Sequence, residues 1–210
     1  MSATTLERVI WAAFAAGILA VVVIGVVSLR RAASPSSVGL PVLGVVPEFS
    51  LVERPGRAIT RADLMGQPWV ANFIFTQCAG VCPVLSTRMA QLQRALAEQG
   101  LTNVRSVSFS VDPTHDTPAV LKVYADQHHA DPNRWLFLTG EHAELYRMVG
   151  EGFRLAIAER APDEATQTPG ELITHSDRFV LVDSAGQLRA YYHGTESATV
   201  GQILKDLATL

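Results

Sequence analysis

The sequence predicts an α/β protein built on a mainly parallel sheet, set behind one N-terminal transmembrane helix. Three observations carry that expectation. Buried-strand stretches alternate with amphipathic ones from residue 69 onward, two late strands are joined by a tight Ser-Ala-Gly turn, and a long charge-free run stands at the front.

The charge-free run is VIWAAFAAGILAVVVIGVVSL, Val9 to Leu29. As a helix rising 1.5 Å per residue it extends roughly 31 Å, the thickness of a hydrocarbon core. A signal-peptide apolar region is shorter, about 7–15 residues, and Arg30 and Arg31 occupy the place where a cleavage site wants small neutral side chains. Residues 9–29 are therefore expected as an uncleaved anchor behind a short flank, 1–8. A Ser-, Gly- and Pro-rich linker over 30–47 follows it, and one domain over 48–210 follows the linker. The Lys and Arg flanking the anchor lean by about one charge toward a cytoplasmic domain, a bias that long domains override. A net charge of −3 with no basic patch argues against nucleic acid as a partner.

Within the domain, WVANFIF (Trp69 to Phe75) is a fully apolar strand candidate. Val84, Leu85, Met89, Leu92 and Leu96 then recur at helical spacing until Gly100. VRSVSFSV (Val104 to Val111) is the next strand, Pro118 opens a helix to about Gln127, WLFL (Trp135 to Leu138) is a short strand, and Glu141 to Val149 a short helix. RFVLVD and LRAYYHG, joined by Ser184-Ala185-Gly186, predict a hairpin, and SATVGQILKDLATL a closing amphipathic helix. The polar stretch Ala161 to Glu171 is expected as an exposed loop inserted before the hairpin. This order matches a thioredoxin-like fold.

The chain has two cysteines, Cys78 and Cys82, at the junction between the first strand and the first long helix. A bridge closing so short a loop removes little chain entropy, so the pair is a poor staple. At a helix N-terminus, free N–H groups and the dipole favour thiolates, which suits reactivity or metal binding. The usual thiol-disulfide exchange motif has two intervening residues; here there are three, Ala79, Gly80 and Val81, and that favours ligation. Two thiolates do not complete a tetrahedral zinc site, whereas soft Cu(I) accepts few sulfur ligands, so copper leads provided a third ligand exists.

Six histidines are available. His128 and His129 fall at a helix C-terminus, where they complement its dipole, and His142 in the first turn of a short helix reads as exposed. His115 and His193 have no evident partner in the sequence. His175 stands in ITHSDRFVLVD, between the polar insertion and the strand that begins at Arg178. A loop histidine taken alone is more often a surface residue than a ligand.

TQCAGVCPVLSTRM (Thr76 to Met89), SVDPTHDTP (Ser110 to Pro118) and THSDRFVLVD (Thr174 to Asp183), in that order, resemble the SCO/SenC family of membrane-anchored, thioredoxin-fold, copper-binding factors for cytochrome c oxidase assembly. The resemblance covers about residues 48–210. It implies Cys78, Cys82 and His175 as a three-ligand site for Cu(I), Cu(II) or both. It also implies supporting or docking roles for Asp112 and Asp116, whose bland reading is capping of the helix at Pro118 by Asp116 or Thr117. The implied partners are the copper-binding subunit of the oxidase and other copper chaperones, and the implied location is a single-pass inner-membrane protein with its domain on the periplasmic or equivalent side. Where many family members carry proline and an acidic or polar residue between the cysteines, this chain has Ala79 and Gly80, which loosens the loop. Two other classes use the same thiols: a membrane-tethered thiol-disulfide oxidoreductase independent of His175, and a thiol peroxidase working through one cysteine.

Overall fold

The structure is a computed structural model that describes residues 39–159 and 173–210, with Trp11, Gly17 and Leu19 as isolated positions ahead of them; at 158, 159 and 173–175 it describes the backbone. Those three positions apart, the expected anchor, the linker up to residue 38 and the insertion Ala161 to Glu171 lie outside the described residues. Among the described residues no helix is long and apolar enough to cross a membrane.

The compact unit runs from Gly39 to Leu210. Its strands are β1 (Gly44–Val45), β2 (Ser50–Glu53), β3 (Ala58–Thr60), β4 (Trp69–Ile74), β5 (Arg105–Ser110), β6 (Trp135–Thr139), β7 (Ile157–Glu159), β8 (Ile173–His175), β9 (Arg178–Val182) and β10 (Gln187–His193). The helices are α1 (Cys82–Glu98), α2 (Pro118–Gln127), α3 (His142–Arg147) and α4 (Thr199–Leu207), with a wider π turn, Met148–Gly152, continuing α3. Eight strands form one sheet in the order β1-β10-β9-β4-β5-β6-β2-β3, and β7 and β8 form a separate ribbon.

The apolar runs explain the centre of this sheet. All six residues of β4 are buried, as its unbroken hydrophobic character requires of a strand covered on both faces. It pairs in parallel with β5, which pairs in parallel with β6, while β9 lies antiparallel along its other edge. Alternation sorts the side chains into two layers. One layer is aromatic: the Phe109 ring lies 5.7 Å from Phe73, 5.5 Å from Phe153, 6.1 Å from Phe49 and 6.2 Å from Trp69. The other is partly polar and lies under the helices. There Ser108 donates to Asn72 at 2.6 Å and accepts from the Trp135 indole at 2.8 Å, and Ser110 follows on the same face.

Several boundaries differ from the sequence expectation. Residues 44–47, read as linker, belong to the domain: β1 pairs antiparallel with β10, and Val46 is buried beside it. Glu141 to Val149 does not form one α-helix, because α3 stops at Arg147 and the turn widens through Met148–Gly152, where a Cβ on Gly152 would lie 2.7 Å from Pro47. His175 sits on a strand and not in a loop, since β8 pairs antiparallel with β7 and places Ile157 opposite His175.

Phe109, with four ring neighbours and no exposed surface, carries the aromatic layer. Phe109→Ala is expected to cost about 3–5 kcal/mol, read as a lowered urea midpoint at unchanged slope. A loss under about 1 kcal/mol would show that this layer repacks freely.

Candidate metal centre

The cysteines are positioned by the end of β4. Phe75 continues the buried strand by one residue, and the chain then turns tightly, with the Cys78 N–H donating to the Phe75 carbonyl at 3.3 Å. Helix α1 begins at Cys82 with Pro83 in its first turn, where a missing N–H costs nothing. Cys78 therefore stands ahead of the helix instead of on it. Its sulfur accepts the Cys82 N–H at 3.4 Å, so it caps one of the free donors of the α1 N-terminus.

The two cysteines differ in access. Cys82 is fully enclosed, whereas Cys78 keeps 8% of its surface exposed. Contact with the Cys78 sulfur, then burial, pushes the Cys82 thiol far above its usual range. A metal taking both sulfurs must displace that proton, so binding is coupled to proton release. Two thiol sulfurs at a helix N-terminus suit a soft ion, and the donor chemistry fits copper.

The turn is held from below by Asp116. Its carboxylate, with no exposed surface, accepts the Thr76 N–H at 3.1 and 3.2 Å, the Thr76 hydroxyl at 2.5 Å and the Ser110 hydroxyl at 2.6 Å. Thr76 lies two residues before Cys78, and Ser110 ends the neighbouring strand, so one buried acid ties the cysteine turn to the sheet. Burial pushes the Asp116 carboxyl above the ordinary carboxylate range, against the hydrogen bonds that pull it down. Helix capping falls to Thr117, whose hydroxyl accepts the Val120 N–H at 3.4 Å, and not to Asp116.

Asp112 faces His115, with 2.7 Å between its carboxylate and Nδ1, while its own N–H donates to Ser110 at 3.1 Å. His193 also has a partner, since its Nδ1 lies 3.2 Å from the Asp177 carboxylate. Both histidines looked solitary in the sequence because these contacts depend on folding. Among the described residues, no group of three or more His, Cys, Asp or Glu side chains is placed to hold a metal, so neither Asp112 nor Asp116 completes a set with the cysteines. The backbone of His175 is described on β8, and β9 starts three residues later beside β4.

Thr76, Ser110 and Tyr124 are contributors the sequence reading did not single out. Thr76 and Ser110 lie inside the quoted motifs, so their position was available but their role was not. Tyr124 had no local signal. Its hydroxyl pairs with Ser86, one turn along α1 from Cys82, at 2.8 Å, and burial pushes it up to about 12. Tyr124 and Thr76 also line an open groove of about 450 Å³, with Val120 and Val123 on its rim.

A family profile described as SCO1/SenC matches residues 42–210. The chain belongs to the SCO1/SenC family. It is 31% identical over 163 residues to the SCO1 protein homolog of Bacillus subtilis, across 77% of this chain and 80% of that one. Its fold, thioredoxin-like as expected, is shared with BsSco, reported as having a disulfide switch and as a member of the Sco family of cytochrome c oxidase assembly proteins (TM-score 0.70, 29% identity, 81% and 96% covered). It is also similar to ScoI of Bradyrhizobium japonicum, solved with copper bound (TM-score 0.64, 25% identity, 79% and 98% covered).

Asp116→Ala leaves the Thr76 N–H without an acceptor and is expected to cost about 2–3 kcal/mol. The carboxyl's raised pKa adds a signature in pH. The folded protein holds this proton to higher pH than the unfolded chain, so the group's contribution is complete below its ordinary value near 3.8 and is lost as pH rises through the folded value. Asp116→Asn removes that part of the pH dependence, checked by urea midpoints from about pH 3 to about pH 7. Parallel curves for wild type and variant would contradict the assignment.

Proposed function

We propose that this protein is a membrane-anchored copper-binding factor for the assembly of cytochrome c oxidase, carrying the ion on Cys78, Cys82 and His175. The observation that supports it most is the cysteine pair itself: two sulfur-bearing side chains joined through the Cys82 N–H at the start of α1, one enclosed and one reachable from solvent. The copper-bound ScoI and the oxidase-assembly description of BsSco support the cargo and the client. Copper is cargo in this reading. A partner's thiols and imidazoles take it by ligand exchange starting from the Cys78 side, and the apolar rim at Val84, Val120 and Val123 gives that partner a surface beside the site. The partners are the copper-binding subunit of the oxidase and the chaperones that load this site.

Anchoring through residues 9–29 and a domain on the periplasmic or equivalent side agree with thiol-disulfide chemistry, which needs an oxidising compartment. Asp112 and Asp116 act as supports of the cysteine turn. A second reading rests on the same adjacency, together with the switch reported for BsSco. Cys78 and Cys82 give up two electrons and two protons to form a disulfide, reducing the oxidase subunit's disulfide to thiols and leaving this protein unable to bind copper until it is re-reduced.

The test is an anaerobic titration of the reduced protein, with Cu(I) followed by chelator competition and Cu(II) by sulfur-to-copper charge-transfer absorption. One equivalent is expected to bind to wild type, none tightly to Cys78→Ser/Cys82→Ser, and His175→Ala is expected to weaken binding by at least about tenfold. Binding falls as pH falls, because the Cys82 proton competes. Copper binding indifferent to both cysteines would sink the proposal, and retained disulfide reduction without copper binding would favour the second reading.

A further inference from the structure

Gly194 closes β10, and it is buried at a point where three parts of the site meet. Its N–H donates to the Asp177 carbonyl at 2.9 Å. A Cβ built on it would lie 2.5 Å from Leu85 Cδ2, 2.8 Å from the Asp177 carbonyl oxygen and 2.8 Å from Phe179 Cδ1. Leu85 is on α1, three residues after Cys82 and on the same face. Asp177 is two residues after His175. The residues flanking Gly194 grip the same aspartate: His193 Nδ1 lies 3.2 Å from its carboxylate, and the Thr195 hydroxyl donates to it at 3.4 Å.

We propose that Gly194, with His193 and Thr195, is a positioning clasp that sets the distance between the strand carrying His175 and the helix carrying Cys82. The inference rests on the reading of His175 as a ligand. Its physical basis is that only hydrogen fits at this position. A methyl group there has to move a leucine terminus, which is easy, and a backbone carbonyl two residues from His175, which is not. The displaced carbonyl carries the proposed ligand's strand away from α1, and shifts of outer contacts of this kind weaken metal sites on the order of tenfold or more.

The experiment uses the full chain with Gly194→Ala, beside Gly140→Ala and His175→Ala. Gly140 is a control for the leucine contact alone, since a Cβ there meets Leu51 Cδ2 at 2.7 Å and backbone no nearer than 3.7 Å, in the half of the sheet away from β10. Cu(I) affinity, the Cu(II) charge-transfer band and the melting point of the metal-free protein are read for each. Gly194→Ala is expected to lose on the order of tenfold in Cu(I) affinity and to shift the band. Gly140→Ala is expected to keep wild-type values for both. If His175→Ala weakens copper but Gly194→Ala does no more than Gly140→Ala, the clasp is wrong and the ligand reading stands. If His175→Ala binds as wild type, the ligand reading fails and takes the clasp with it. Should Gly194→Ala not fold, Asp177→Ala removes the gripped carboxylate without adding volume. Weakened copper binding in it supports the clasp, and wild-type binding overturns it.

Discussion

The buried Asp116 carboxylate is the interaction on which the candidate site depends. It draws donors from two directions, Thr76 ahead of Cys78 and Ser110 at the end of β5. A turn between a strand and a helix otherwise has its polar groups facing water and many conformations open to it. Here the turn is tied to the parallel core at its base, so the Cys78 sulfur stays over the α1 N-terminus where the Cys82 N–H reaches it. The partners suit a carboxyl that burial pushes toward neutrality, because the Thr76 and Ser110 hydroxyls donate to its charged form and accept from its protonated one.

The thiol pair has an asymmetry that the fold imposes. Cys82 begins a helix packed on the sheet and is sealed by its neighbours, whereas Cys78 lies in the turn and touches solvent. Any partner, whether it brings a disulfide or competing copper ligands, therefore meets Cys78 first. Ala79 and Gly80 leave that side uncrowded, both being exposed. Rigidity comes from Asp116 below, and access comes from small residues above.

The parts of the fold legible in the sequence are those written as long, one-sided patterns. The buried run of β4, the Pro118 start of α2 and the Ser-Ala-Gly hairpin turn each have a local physical cause. The strands β1, β2 and β3 were not legible, since two to four residues carry too little periodicity, and β1 and β2 take their places in the sheet from the distant strands β10 and β6. The ribbon of β7 and β8 was missed for the same reason, and with it the strand position of His175. In the site, the cysteines announced themselves by spacing. The grip of Asp116 on Thr76, forty residues away, and that of Asp177 on His193, sixteen residues away, exist only after the sheet has formed.

The central claim is that both sulfurs and the imidazole of His175 hold one copper ion. X-ray absorption of the Cu(I)-loaded wild type and of the loaded His175→Ala protein tests it most directly. The account predicts two sulfur scatterers and one imidazole nitrogen in the wild type, with the nitrogen lost in the variant. A wild-type spectrum with fewer than two sulfurs, or a nitrogen shell unchanged by His175→Ala, would contradict it.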